Sequence, residues 1–160
     1  MWRTRPQDEH GGMLPTGSGT MDAERAFVRE ARARRRAALV RLLRRERSDA
    51  RLPVLEPGAS AAGSVARPGR GVCQIPLDAI RGTLEPSRAV LFDCSFRPRG
   101  AARARWERVW LAEHRGCVLP PISVVRVGDR YAVRDGHHRV SVARARGATT
   151  IDAAIDAAAA

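Results

Sequence analysis

With 160 residues, 29 basic side chains against 17 acidic ones and a net charge of +12, the chain is sized for one domain with an appended tail. Its longest apolar runs are too short to span a bilayer and its N-terminus has no apolar signal core, which excludes spanning and secreted classes. Every basic residue is Arg, in an Ala-, Gly- and Pro-rich chain of the kind G+C-rich coding produces, yet the resulting field still attracts nucleic acid, nucleotide or an acidic partner.

Residues 1–20 hold Gly11, Gly12, Gly17 and Gly19 without periodicity and are expected to be disordered. Met13 within this stretch and Met21 just after it are alternative starts. From Asp22 to about Arg47 the spacing predicts one long helix, inside an Arg-rich segment 21–52. Its apolar stripe is Phe27, Ala31, Ala38 and Leu42, with Leu39 and Leu43. Between Asp22 and Arg51 eleven arginines face five acids. Arg34, Arg35, Arg36, Arg41, Arg44 and Arg45 are therefore candidate contacts to a DNA or RNA backbone. The alternative is a solvated helix whose stripe docks on the domain or on a second copy, in a homodimer. Residues 53–71 carry three Pro and four Gly and read as a linker that leaves this helix isolated.

A folded domain is expected over 72–156, followed by a short tail, 157–160. Val72 to Ile75 reads as a strand, with Leu77 and Ile80 packing back through a turn. Thr83 to Phe96 is irregular, anchored by Leu91 and Phe92. Gly100 to Arg115 reads as a helix whose Trp106, Val109 and Trp110 have the spacing for packing onto a sheet, with Gly116 as its cap. Pro120-Pro121 forces extended chain into a hairpin, Ile122–Val127 and Arg130–Arg134, turned at Gly128-Asp129. A helix bearing Val140, Ala143 and Arg144 on one side follows and ends at Gly147. Ile151, Ala153 and Ile155 then alternate as a strand. Cys73, Cys94 and Cys117 are widely spaced and odd in number, which suits buried or half-buried thiols in a reducing cytosol and no zinc site.

The order hairpin, turn, helix puts Gly136-His137-His138 at a helix N-terminus. Main-chain N–H groups and the positive dipole end gather there, as a phosphate requires. Gly136 would let a ligand approach the main chain, and Arg139 would add a forked clamp. His137 and His138 point about 100° apart on a helix, so they do not chelate one metal together. One would donate to phosphate while the other packs; a metal on one of them with Asp135 is the lesser alternative. Arg88 points either to this pocket or to a surface ion pair with Glu85 or Asp93. His10 and His114 read as surface residues.

Gly136-His137-His138-Arg139, after Tyr131 to Asp135 and before an Ala-rich helix ending at Gly147, resembles the phosphate box of the ParB/sulfiredoxin superfamily. ParB N-terminal domains carry Gly-Glu-Arg-Arg there, and sulfiredoxins Gly-Cys-His-Arg. Ile75 to Ile80 resembles the family's opening strand and turn, Pro86-Ser87-Arg88 its Gln-Pro-Arg segment, and Gly116 to Ile122 its lead-in to the hairpin. The resemblance covers about residues 72 to 156 and implies an α+β fold, a small mixed sheet with packed helices. His137 stands where sulfiredoxins have their catalytic Cys, which argues against sulfinic-acid reduction. The helix-turn-helix and dimerisation domains of ParB are not expected.

Three functions follow. The first is a ParB-like regulatory or chromosome-partitioning module, bacterial and DNA-associated. It would hold CTP or ATP, with or without Mg²⁺, on Gly136, His137, His138, Arg139 and Arg88. The second is an enzyme, a ParB-like nuclease, phosphotransferase or NTPase, with Asp135, His137 and His138 as the candidate catalytic set. The third is an interaction domain without a ligand.

Overall fold

The computed structural model describes residues 18–45, 51–56 and 71–157. The disorder expected over 1–20 fails at Gly19 and Thr20, which are helical; its remaining residues 1–17, the expected helix end at 46–50, most of the linker (57–70) and 158–160 lie outside the described set. The chain folds as α+β around a five-stranded sheet. The strands are β1 (Val72–Pro76), β2 (Ile80–Thr83), β3 (Ile122–Val127), β4 (Arg130–Asp135) and β5 (Thr150–Asp156), and the helices α1 (Gly19–Leu43), α2 (Pro86–Ala89), α3 (Arg103–His114) and α4 (His137–Ala145). The strand order is β1-β5-β3-β4-β2. β1 runs antiparallel to β5 and β3 antiparallel to β4, while β5 with β3 and β2 with β4 are parallel.

Local chemistry sets the centre of this sheet. Val124, Val125, Ala132 and Val133 are at most 1% exposed, and Gly128, at φ 63°, makes the turn between their strands. Both α3 and α4 end in the same way: the N–H groups of Gly116 and Cys117 donate to Glu113 and Ala112, and those of Gly147 and Ala148 donate to Arg144 and Ala143. A glycine in the left-handed region closes each helix and satisfies its last carbonyls.

Three expectations need correction. First, β2 is a strand, paired in parallel with β4, where a turn and irregular chain were expected. Its partner on the outer side is the supposed start of the linker. Leu55 N–H donates to Thr83 O at 2.8 Å and Thr83 N–H to Pro53 O at 2.9 Å, so residues 51–56 cover that sheet edge. A Cβ on Gly82 would lie 2.6 Å from Pro53 O, so only glycine admits this approach. Leu52 is 2% exposed and belongs to the main core.

Second, α1 is not isolated. Ala23, Ala26 and Phe27 form a second core with Trp106, Trp110 and Val142. Small residues at two of these positions let α1 approach α3 closely, and Phe27 meets the edge of Trp106 at 5.6 Å. Only the first half of the expected stripe is covered; Leu39, Leu42 and Leu43 are 56%, 73% and 75% exposed. Third, Trp106 packs between helices and not onto the sheet, its Nε1–H donating to Ser141 Oγ at 2.9 Å. α4 lies between the two cores, with Val140 and Ala143 towards the sheet and Val142 towards α1 and α3.

Candidate phosphate site at the α4 N-terminus

Gly136 sits at φ 101°, and a Cβ there would fall 2.5 Å from Ile122 Cγ2 and 3.1 Å from Arg139 Nη2. The close approach this glycine permits is therefore by Ile122 and a guanidinium of the protein itself. The chain leaves β4, reverses at Gly136 and enters α4 with the first-turn N–H groups beyond reach of any intrahelical acceptor.

His137 is 3% exposed and points into the protein. Its Nε2 lies 2.6 Å from Thr83 Oγ1. The Thr83 hydroxyl accepts the Glu85 N–H at 2.8 Å and lies 3.2 Å from Val133 O. If the hydroxyl donates to that carbonyl, His137 donates to it from Nε2. One side chain thus ties β2, β4, the start of α2 and α4 together. Phe92 separates this pair from His138: its ring stacks on His137 at 6.3 Å and meets His138 edge-on at 5.2 Å. His138 is 7% exposed and its buried Nε2 has no hydrogen-bond partner among the described residues.

Burial drives the pKa of both imidazoles from 6.5 to about 4, assisted by nearby guanidinium charges. Arg88 is the largest of these for His137 and Arg105 for His138. Both rings are neutral at pH 7 and neither opens to solvent, so the turn presents its main chain. Arg139 is also turned inward, its side chain 12% exposed. Nη1 donates to the carbonyls of Pro120 and Pro121, and Nη2 to Asp135 Oδ2 at 2.8 Å. Three of its five N–H groups are thereby used to hold the Pro-Pro lead-in and Asp135 to the start of α4.

Arg88, on α2, is exposed and close enough for its charge to act on both imidazoles. Neither of its expected surface pairs forms: Asp93 instead takes Arg97 at 3.7 Å and Arg41 at 4.0 Å. Sequence reasoning missed Arg105 and Arg108, exposed on α3, whose charges act on His138 at the start of α4. Their i, i+3 spacing was visible, but the packing of α3 on α4 that gives it meaning was not. Asp135 bonds Arg139 and neither imidazole, and among the described residues no group of three His, Cys, Asp or Glu could hold a metal.

Of the six arginines singled out, Arg34, Arg35, Arg36 and Arg41 lie on α1 without sharing a face, and Arg44 and Arg45 follow its end. Arg41 is turned to Asp93 and Arg34 is half-buried, while Arg35, Arg36, Arg44 and Arg45 are exposed. No helix among the described residues is long and apolar enough to cross a membrane.

No family model matches the chain, and no curated protein matches it. A solved structure, sulfiredoxin from Arabidopsis thaliana, aligns over 54% of this chain and 85% of that one, with 21% identity and a TM-score of 0.41. This is a distant likeness of fold, and no residue role follows from it.

Proposed function

We propose that the protein is a binding module for a nucleoside triphosphate, CTP or ATP, seated on the N–H groups that open α4. The observation that supports this is that Arg88, Arg105 and Arg108, exposed on two other helices, are near enough for their charges to act on the imidazoles that open α4. Phosphate oxygens would take the helix N–H groups below and the exposed guanidinium groups above, with or without a bridging Mg²⁺. Arg139 serves this site indirectly, by fixing the turn. A regulatory role beside DNA, of the partitioning kind, fits a ligand-holding domain without an evident reaction centre. The nuclease or phosphotransferase reading has less support, because Asp135 is held by Arg139 and both imidazoles are buried and neutral.

The test is a thermal-shift titration with CTP, ATP, GTP and UTP, with and without Mg²⁺, on wild type and on Arg88→Ala/Arg105→Ala. At a hundredfold excess over Kd, binding stabilises by about 2.7 kcal/mol, a rise of several degrees. The double variant should keep the ligand-free melting temperature, since both side chains are exposed, and lose the rise. No shift with any nucleotide overturns the reading and leaves a ligand-free interaction domain. Arg139→Ala does not discriminate, because it also releases Pro120, Pro121 and Asp135.

A further inference from the structure

We propose that the outward face of α1 is a docking surface for an anionic phospholipid bilayer, on which the helix lies flat. The opposite face is already committed to the protein through Ala23, Ala26 and Phe27. At 100° per residue, Arg32, Arg35, Arg36, Leu39, Leu42 and Leu43 lie within about 60° of one line along the helix. They form a strip about 17 Å long. The three leucines are 56%, 73% and 75% exposed, and the three arginines are exposed as well. No carboxylate occurs anywhere between Arg32 and Leu43.

The chemistry of the strip selects among occupants. A second copy would bury six guanidinium groups on a strip that has no carboxylate to pair them. A nucleic acid would answer the arginines but leave three leucines in water. The centre of a protein interface is depleted of charge, whereas here three guanidinium groups and then three leucines follow one another along one line. A bilayer surface satisfies both at once. Leucines enter the boundary between headgroups and acyl chains, and the arginine stems lie along it with their charges on lipid phosphates. Because α1 docks on the domain by its other side, this contact needs no rearrangement of the fold.

The experiment is co-sedimentation of the full chain with vesicles of phosphatidylcholine alone and of phosphatidylcholine mixed with phosphatidylserine. Two variants accompany it, Leu39→Ser/Leu42→Ser/Leu43→Ser and Arg32→Gln/Arg35→Gln/Arg36→Gln, each checked for native circular dichroism. The expected result is binding to the mixed vesicles only, weakened about tenfold or more in each variant, since each basic residue near an anionic surface contributes about fivefold. Absence of binding to the mixed vesicles overturns the proposal, as does equal binding to neutral ones. A leucine variant that binds as wild type, with duplex DNA displacing the vesicles, overturns it in favour of a nucleic-acid contact. A concentration-dependent dimer in ultracentrifugation that the leucine variant abolishes overturns it in favour of a second copy.

Discussion

Gly136 shows how much one missing side chain can carry. Its φ of 101° lies where an L-residue is strained, and the space a Cβ would need is filled by Ile122 at 2.5 Å. Gly136→Ala combines strain with overpacking and should cost about 2–4 kcal/mol. Urea denaturation would report this as a fall in midpoint at unchanged slope; an unchanged midpoint would refute it. That Gly136 stands at the turn from strand to helix was legible from the order of the elements. The reason no larger residue fits was not, because Ile122 comes from a neighbouring strand. The same holds for His137: its position at the start of α4 was readable, but its turn inward to Thr83 depends on a strand that sequence reasoning did not find.

Among the elements, the hairpin, α3, α4 and β5 were legible because each is bounded by turn or cap chemistry a few residues away. β2 was not, since its four residues Ile80–Thr83 become a strand only between β4 and residues 51–56. For α1 the periodicity found a helix but not which side is covered. Two alanines and Phe27 decide that by fitting Trp106, a partner far along the chain. Phe27→Ala should therefore loosen α1 selectively. Truncating a buried aromatic costs about 3–5 kcal/mol, and here the loss falls on the α1–α3 contact. Hydrogen exchange should show α1 amides losing protection while those of β3 and β4 keep theirs. Equal loss in the sheet would show that α1 and the sheet fold as one unit.

For the molecule as a whole, buried ionisable groups shape the dependence of stability on pH. His137 and His138 have native pKa values of about 4 against an ordinary 6.5. Between these limits the unfolded chain takes up protons that the native rings refuse, so stability is complete above pH 6.5 and falls as pH drops towards 4. Glu113 works in the opposite sense. Burial pushes its carboxyl from 4.5 up to about 8, although Arg146 lies 3.7 Å away. Above pH 4.5 the unfolded chain gains an ionisation that the native state withholds, so stability declines until about pH 8. Glu30, raised by burial too, acts in the same sense as Glu113. The two histidines outweigh Glu113 on the acid side, and beyond 6.5 Glu113 outweighs them. Denaturation across this range should show a maximum near pH 6.5, with a shallower acid limb in His138→Phe. A flat profile would mean that the rings are not buried as described.

The strand order has a consequence for how the molecule is made. β5 is the last of the strands to be synthesised, yet it lies between β1 and β3. A nascent chain that has reached Gly147 carries α1 to α4 and the trio β2-β4-β3, but β1 lacks its partner β5. A stop codon there would leave α1 to α4 encoded and the sheet in two pieces. Until residues 150–156 leave the ribosome, the first strand of the domain waits unpaired, and the earliest moment of completion is set by translation.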